Sequence, residues 1–174
     1  MAGNLEGRKV LIIIGAEGFQ DEEFGQPFAL LKKLGATVKT ACSCKDRALG
    51  KFGRQVTPDF TLDECRAGDY DAVVFIGGPG ASEYFTDARA HALARGAAAG
   101  NKVLGAICIA PVILANAGIL KDKEATVFPS GEDVLVRAGA RLSRKDVVID
   151  GKIVTARGPQ AAREFAETLA RLMR

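Results

Sequence analysis

Cys108 lies in an apolar run, residues 102–118, and alanines stand two positions to either side of it, Ala106 and Ala110. Pro111 follows three positions later. Where a strand turns sharply into a helix, neighbouring backbone comes close, so the residues two before and two after the turn must be small, as in the nucleophile elbow of hydrolases. The pattern therefore predicts a cysteine nucleophile elbow, with the sulfur at the edge of a sheet.

A helix that starts directly after Cys108 would change the acidity of its thiol. Free amides and the helix dipole at a helix N-terminus favour a thiolate, and cysteines placed there can have pKa values of about 3.5–7.5. The alternative interpretation is a small buried core residue, because free cysteines usually behave that way. The pattern by itself leaves both interpretations open.

The segment "GGPG", residues 77–80, offers a second group that could take part in chemistry. A pair of glycines at a strand end lets successive N–H groups point into one concavity, which suits an anion or a developing oxyanion. We expect Gly77 and Gly78 to line the substrate pocket, and the Gly78 amide to form an oxyanion hole with the helix-start amide after Cys108. A plain tight turn is the alternative.

The remaining thiols and the single histidine favour packing or surface roles. Cys42 and Cys44 lie two apart at the end of a predicted strand, so they share a face but are poorly placed to bond each other. Cys65 falls in a short helical segment, and His91 stands among alanines in a predicted helix. Without a CxxC pair or a second histidine, we expect no metal site.

Length and composition indicate one globular domain, 1–174. The chain is 48% apolar and 26% charged, with a net charge of +3, and its basic residues alternate with acidic ones. No basic stripe or aromatic ladder supports nucleic-acid binding. The longest apolar stretch is too short and broken to span a bilayer, and the first residues lack a signal core. We therefore expect a cytoplasmic protein.

Short β-branched runs alternate with helical patterns along the chain. We predict strands over 9–14, 37–42, 71–76, 102–107, 124–128, 147–150 and 152–156, with the last two joined at Asp150-Gly151. We predict helices over 24–35, 87–100 and 111–118 and from Pro159 to the C-terminus, and an irregular or hairpin excursion over 49–60. This alternation predicts an α/β fold with a doubly wound, mainly parallel sheet and helices on both faces.

In such sheets the ligand crevice lies beyond the carboxyl ends of the strands. Three predicted loops should meet there: "GAEGFQDEE" after the first strand, "GGPG" after the third and "CIAP" after the fourth. We therefore look for function where Cys108, Gly78 and residues 15–23 converge.

These loops are the segments that resemble a known family. "AICIAP", "YDAVVFIGGPG", "GAEGFQDEE" and "IVTARGP" are similar to the corresponding motifs of the ThiJ/PfpI superfamily, which contains intracellular proteases and the parkinsonism-associated deglycase. The resemblance runs from about Arg8 to the C-terminus. It implies a flavodoxin-like three-layer sandwich related to the class I glutamine amidotransferase fold, a homodimer or larger assembly, no cofactor, and Cys108 as the reactive nucleophile.

The first loop departs from the family pattern at one position. Family members carry a glutamate whose protonated carboxyl group hydrogen-bonds the thiolate, and "GFQDEE" places Gln20 at that position. An amide can donate N–H to sulfur, but it cannot shuttle a proton near neutral pH. Three nearby carboxylates, Glu17, Asp21 and Glu22, are the candidates for moving a proton instead, and each can equally be a solvated loop charge.

Histidine is also missing where the family uses it. The protease branch follows its cysteine with histidine, and Ile109 stands there in this chain. The deglycase branch has a histidine that aligns with Phe128. Since His91 lies outside the three loops, no Cys–His pair is evident and peptidase activity is not expected.

Three functions remain open. The first is an enzyme in which the Cys108 thiolate adds to a small carbonyl or acyl substrate, with a hydrolase, lyase or hydratase outcome. The second is a non-enzymatic, redox-responsive stress protein whose thiolate oxidises to sulfenic and then sulfinic acid. The third is a catalytically inert, oligomeric binding module.

Overall fold

The computed structural model describes residues 4–174 and contains a seven-stranded sheet. In spatial order its strands are β11 (Val147–Asp150), β12 (Ile153–Ala156), β8 (Val103–Ile107), β7 (Ala72–Phe75), β1 (Lys9–Ile13), β3 (Thr37–Cys42) and β6 (Phe60–Thr61). All neighbours pair in parallel except β11 and β12, which form an antiparallel hairpin. The predicted α/β fold with a mainly parallel sheet is confirmed.

Helices cover both faces of this sheet, and strand alternation decides which side chains meet them. The helices are α1 (Asp21–Lys33), α2 (Ala88–Ala99), α3 (Pro111–Asn116), α4 (Glu132–Arg137) and α5 (Ala162–Met173). Val10 and Ile12 of β1 point into one core with Phe24 of α1 and Phe165 of α5. Their neighbours in β1, Leu11 and Ile13, point into the opposite core, which α2, α3 and α4 cover.

The two long helices next to the loops begin at capping residues. Asp87 caps α2 as predicted, because its side chain accepts from the amides of Arg89 and Ala90. The helix predicted from Phe24 begins three residues earlier, at Asp21, because Gln20 caps it. This earlier start places residues 21–23 on a helix rather than in a loop.

The predicted strand 124–128 does not join the main sheet. Only β9 (Glu124–Ala125) is extended, and it pairs with β10 (Arg141–Leu142) in a separate two-stranded sheet. The position beside β12 is already taken by β11, which the tight turn at Gly151-Lys152, one residue after the predicted junction at Asp150-Gly151, folds back onto it. The chain after β9 instead turns towards the elbow, where the Phe128 amide donates to the Cys108 carbonyl at 2.7 Å.

A small sheet stands above the carboxyl end of β1. It consists of β2 (Glu17–Phe19), β4 (Ala48–Gly50) and β5 (Gln55–Val56), with β4 and β5 forming an antiparallel hairpin. The hairpin predicted within residues 49–60 is therefore present, and Pro58 follows it outside any strand. No helix within residues 4–174 is long and apolar enough to cross a bilayer.

Candidate active site

Cys108 occupies a strained turn between β8 and α3. Its φ is +65°, in the left-handed region that non-glycine residues adopt at a cost on the order of 1–3 kcal/mol. Both backbone groups are held, because its amide donates to Ala156 at 2.8 Å and its carbonyl accepts from Phe128. Ala106 and Ala110 are fully buried, so the small residues predicted beside an elbow are in place.

The Cys108 sulfur faces two backbone amides. The N–H groups of Gly78 and Ile109 approach the sulfur and pull the pKa of the thiol down. Gly78 has a φ of +95°, and a Cβ there would stand 2.5 Å from the Gly18 carbonyl oxygen and 2.6 Å from the Gln20 amide nitrogen. Only glycine therefore fits at this position, and the two expected amides converge beside the elbow.

The carboxyl group beside Cys108 belongs to Glu23, in the first turn of α1. Its side chain has no exposed surface, and Oε1 accepts from the Gly77 amide at 3.0 Å. The carboxyl group also contacts the Cys108 thiol. Oε2 is buried and has no hydrogen-bond partner among the described residues. Burial raises the pKa of Glu23 from 4.5 to about 7, so this group can exchange a proton at neutral pH.

Gln20 has a different role from the one expected of it. Its Oε1 accepts from the amides of Glu22 at 2.7 Å and Glu23 at 3.0 Å, which caps α1. The expectation that a glutamine replaces the acid beside the thiol is therefore wrong, because an acid is present three residues later. Gln20 borders the cleft, and through its cap it positions Glu23.

Glu23 and Cys108 compete for one proton. Burial and the charge of an ionised Glu23 raise the pKa of the Cys108 thiol to about 12, against the opposing pull of the two amides. The depressed thiol pKa expected from the helix start is therefore not found while Glu23 is ionised. When Glu23 holds the proton, its O–H can donate to the sulfur and the repulsion between two buried anions is absent.

A cleft of about 390 Å³ opens above Cys108. Its lining residues are Gln20, Lys51, Gly78, Pro79, Ser82, Phe85, Cys108, Ile109, Phe128, Ser130 and Pro159. Cys108 is 7% exposed, so its sulfur is neither sealed nor freely solvated. Lys51 is the only charged residue in this lining, and Phe85, Ile109 and Phe128 give the cleft an apolar wall. The volume suits a small molecule.

The predicted pocket residues separate into two groups. Phe128 lines the cleft together with Ile109, and Gly77 lies directly beneath Cys108, where a Cβ would stand 2.6 Å from the cysteine Cβ. Glu17, Asp21 and Glu22 do not line it.

The three loop carboxylates have structural or surface positions. Asp21 accepts from the amides of Phe52 and Arg54, both at 2.9 Å, and so ties the β4–β5 hairpin to α1. Glu22 accepts from the side chain of Gln26 at 3.2 Å, and Glu17 is exposed on β2. None of them is positioned to move a proton at Cys108.

His91 lies outside the cleft lining, as its sequence context indicated. Its Nε2 is 2.9 Å from the Phe85 carbonyl oxygen, with which it forms a hydrogen bond on α2. Among residues 4–174, no group of three or more His, Cys, Asp or Glu side chains could hold a metal ion.

Sequence reasoning missed the two ionisable residues that accompany Cys108 in the site, Glu23 and Lys51. Glu23 could have been found by placing the helix start at residue 21, because the third residue of a helix capped by Gln20 then turns inwards. Lys51 lies in the turn of the β4–β5 hairpin, where its amide donates to the Phe19 carbonyl at 2.8 Å. No local pattern places that turn over the cysteine.

Comparison with known proteins confirms the resemblance. Residues 8–172 match the DJ-1/PfpI family. An uncharacterized protein of Methanocaldococcus jannaschii is 38% identical over 93% of this chain and 80% of its own length. The deglycase PfpI of Pyrococcus furiosus is 32% identical over 86% of this chain and 90% of its own length. The crystal structure of a ThiJ/PfpI domain protein from Brachyspira murdochii superposes with a TM-score of 0.93 at 30% identity and covers 97% of both chains.

Proposed function

Since the chain belongs to the DJ-1/PfpI family, we propose that it is a cysteine-dependent enzyme acting on small carbonyl or acyl compounds, with Cys108 as nucleophile. The observation that carries this proposal is the contact between the buried Glu23 carboxyl group and the Cys108 thiol at the base of an open cleft. Relatives named deglycases support the same chemistry. The reaction is of the hydrolase, lyase or hydratase type.

In the first step the Cys108 sulfur attacks the electrophilic carbon of the substrate. A C–S bond forms, and the carbonyl π electrons move to oxygen, where the amides of Gly78 and Ile109 stabilise the negative charge. Glu23 then gives its proton to that oxygen in a simple addition, or to the leaving group of an acyl substrate as the bond to that group breaks and a thioester forms, and becomes a carboxylate. In a hydrolytic outcome this carboxylate takes a proton from the water that attacks the thioester, the C–S bond breaks, and the Cys108 thiolate and the protonated Glu23 are restored.

Glu23 performs the proton transfer that a histidine performs in Cys–His enzymes. A pKa near 7 matches the operating pH of a general acid and base, and Glu23 reaches it through burial. With Ile109 after the cysteine and His91 outside the cleft lining, no imidazole activates the thiol, and we expect no peptidase activity.

Lys51 narrows the substrate class. Its ammonium group is the only charge in the cleft lining, and it acts electrostatically on Glu23. A small oxo or acyl compound that carries a carboxylate or another anionic group would pair with Lys51 while its carbonyl carbon faces Cys108. The apolar wall formed by Phe85 and Phe128 would contact the remaining carbon skeleton.

Turnover of methylglyoxal and of small activated esters tests the proposed chemistry. Cys108→Ser should abolish turnover, and Glu23→Gln should lower it by about 10²–10⁴-fold because the amide cannot transfer a proton. Glu22→Gln, a matched change at the exposed neighbour, should leave the rate unchanged. Undiminished turnover by Glu23→Gln would contradict the assigned proton transfer. A wild-type protein that turns over neither kind of substrate although its Cys108 thiol is reactive would contradict the proposed enzymatic activity.

The role of Lys51 can be tested without knowing the substrate. Iodoacetate and iodoacetamide alkylate the same sulfur but differ in charge. We expect Lys51→Met to slow the reaction of Cys108 with iodoacetate and to leave the reaction with iodoacetamide unchanged, because only the anion pairs with the ammonium group. Lys33→Met, at the exposed end of α1, should change neither rate. An equal effect on both reagents would mean that Lys51 acts through the shape of the cleft and not through its positive charge.

Redox sensing through Cys108 is the second candidate function. The two amides that approach the sulfur could equally donate to the oxygens of a sulfinate, and the cleft admits a peroxide. Mass spectrometry after peroxide treatment would show two added oxygen atoms on Cys108 as the stable product. Stepwise over-oxidation of every cysteine to the same extent would argue against a selective sensor.

We further propose a single domain, 1–174, that forms a homodimer or larger assembly in the cytoplasm. Phe52, which is 71% exposed in the hairpin beside the cleft, is an apolar side chain that a second copy could cover. Light scattering after gel filtration should give a multiple of the chain mass of 18.3 kDa. A mass of one chain at micromolar concentration would contradict the assembly, and localisation of a tagged chain tests the compartment.

A further inference from the structure

Cys42 and Cys44 bring two sulfur atoms together at the carboxyl end of β3. The Sγ atoms are 3.7 Å apart, Cys42 is buried and Cys44 is half-buried. The two sulfurs therefore lie closer together than the sequence, which placed them poorly for a bond with each other, led us to expect. Side chains two apart on a strand share a face, and a bend at Ser43 tilts them towards each other.

Hydrogen bonds hold that bend in place. The Ser43 amide donates to the Tyr84 hydroxyl group at 2.9 Å, and the Tyr84 hydroxyl group donates to the Ile14 carbonyl at 2.7 Å. Tyr84 is 1% exposed, so its ring is fixed in the core behind the two thiols. The short distance between the sulfurs is therefore fixed by these hydrogen bonds and by packing against the core.

We propose that Cys42 and Cys44 are a second redox site, which closes to a reversible intramolecular disulfide when the protein meets a hydroperoxide. The half-buried Cys44 sulfur attacks the O–O bond and becomes a sulfenic acid, and the peroxide leaves as alcohol or water. The Cys42 sulfur then attacks the Cys44 sulfur, an S–S bond forms, and the hydroxyl group leaves as water with the Cys42 proton. Two electrons pass from the thiols to the peroxide.

The order of these steps follows from burial. Cys42 has no exposed surface, and burial is the main cause that raises the pKa of its thiol, so it is a poor first reactant with peroxide. Its position beside Cys44 suits it to resolve the sulfenic acid within the chain. Closing the bond shortens the distance between the sulfurs from 3.7 Å to about 2.0 Å, a movement that side-chain rotation and the bend can supply.

This site is chemically distinct from Cys108. The groups around Cys108 are a carboxyl group and two amides, so its oxidation adds oxygen atoms. Cys65, the remaining cysteine, has a carbonyl oxygen of Thr61 at 3.5 Å. The expected products of oxidation therefore differ in mass between Cys108 and the Cys42–Cys44 pair.

Peptide mapping tests the proposal on the intact wild-type chain. After peroxide treatment and alkylation, trypsin releases residues 40–45, "TACSCK", which contain Cys42 and Cys44 and no other cysteine. We expect this peptide to lose both alkylation sites and to weigh two hydrogen atoms less than the reduced form. Dithiothreitol should restore both sites. Continued alkylation of both thiols, stable sulfinic acid on Cys44, or a cross-link between chains would each overturn the proposal.

Single substitutions add a matched comparison. Cys44→Ser should leave Cys42 reduced and open to alkylation in the digest, whereas Cys65→Ser should form the disulfide as wild type does. Cys108→Ser should also form it, because the site reacts with peroxide directly. A disulfide that disappears in Cys108→Ser would overturn the proposed direct reaction and make Cys108 the first acceptor of the oxidant.

Discussion

Glu23 carries a stability cost that depends on pH. Its pKa is raised from 4.5 to about 7 in the folded chain, mainly by burial. Below pH 4.5 both the folded and the unfolded chain hold the proton, so the group contributes nothing. Between pH 4.5 and 7 only the folded chain holds it, and the free energy of unfolding falls by about 1.4 kcal/mol per pH unit. Above pH 7 the full cost remains.

Glu23→Gln should remove this pH dependence. We expect the free energy of unfolding of the variant, measured relative to wild type in urea, to rise by about 3 kcal/mol between pH 4.5 and pH 8, because an amide does not titrate. Glu22→Gln, at the exposed neighbour, should show no such rise. A constant difference between Glu23→Gln and wild type across this range would mean that Glu23 ionises normally in the folded chain.

Gly77 is the residue that lets the acid and the thiol meet. A Cβ at this position would stand 2.6 Å from the Cys108 Cβ, from Glu23 Oε1 and from the Ile107 carbonyl oxygen. We expect Gly77→Ala to lower the free energy of unfolding by about 2 kcal/mol through overpacking and to reduce the alkylation rate of Cys108. Gly68→Ala, where a Cβ would meet nothing within 4 Å, is the control and should be close to neutral.

The sequence predicts one side of this site better than the other. Ala106 and Ala110 predict the elbow because small flanking residues are a local requirement of the turn. The position of the Gly78 amide beside Cys108 is predicted by the order of strands and loops along the chain. Glu23 does not, because its position beside the thiol depends on where α1 starts, and that start rests on a glutamine cap rather than on the commoner Ser, Thr, Asp or Asn.

At the scale of elements, the first turn of α1 and the β4–β5 hairpin form one connected unit. Asp21 binds the two hairpin amides, and Glu23 of the same turn contacts Cys108. A Cβ on Gly50 would stand 2.5 Å from Asp21 Oδ1, so the hairpin packs directly on that carboxylate. The position of Lys51 over the cleft therefore depends on Asp21.

Asp21→Asn should loosen the hairpin. The amide retains one acceptor oxygen and turns an NH₂ group towards a backbone N–H, so one of the two hydrogen bonds is lost. We expect faster hydrogen exchange at Phe52 and Arg54 and a slower reaction of Cys108 with iodoacetate. Asp46→Asn, on the exposed loop before β4, should change neither quantity. Unchanged exchange in Asp21→Asn would show that other contacts hold the hairpin.

Elements whose own residues favour their conformation are predicted well from the sequence. Elements whose conformation depends on pairing with distant strands are not. The strand 37–42 and the Asp87 cap agree with the structure because β-branched residues and a capping carboxylate act locally. The segment 124–128 has the same apolar pattern, but most of it leaves the extended conformation. The β11–β12 hairpin occupies the edge that it would have used, and no pattern within the segment reveals that competition.

At the scale of the whole molecule, the two ends of the chain are packed against each other. The N-terminal strand β1 lies between β3 and β7, while β8 and β12 from the second half extend the same sheet. The C-terminal helix α5 packs against α1, with Phe165 and Phe24 in one core. Neither half of the sequence can therefore complete a core without the other.

We expect unfolding in urea to follow one cooperative transition. Circular dichroism of the helices and absorbance of the two buried tyrosines, Tyr70 and Tyr84, should give the same midpoint, because both cores share the central sheet. A plateau between two transitions would indicate two independently folding parts and contradict a single domain, 1–174.

The paired backbone of Cys108 has a practical consequence. Ala156 and Phe128 hold its amide and its carbonyl, so a group attached to the sulfur begins from a fixed Cα–Cβ direction and points into the cleft. A fluorescent or paramagnetic reporter linked there would experience little backbone motion. Its signal would therefore describe what occupies the space around it, and it could serve to screen compounds before any turnover is known.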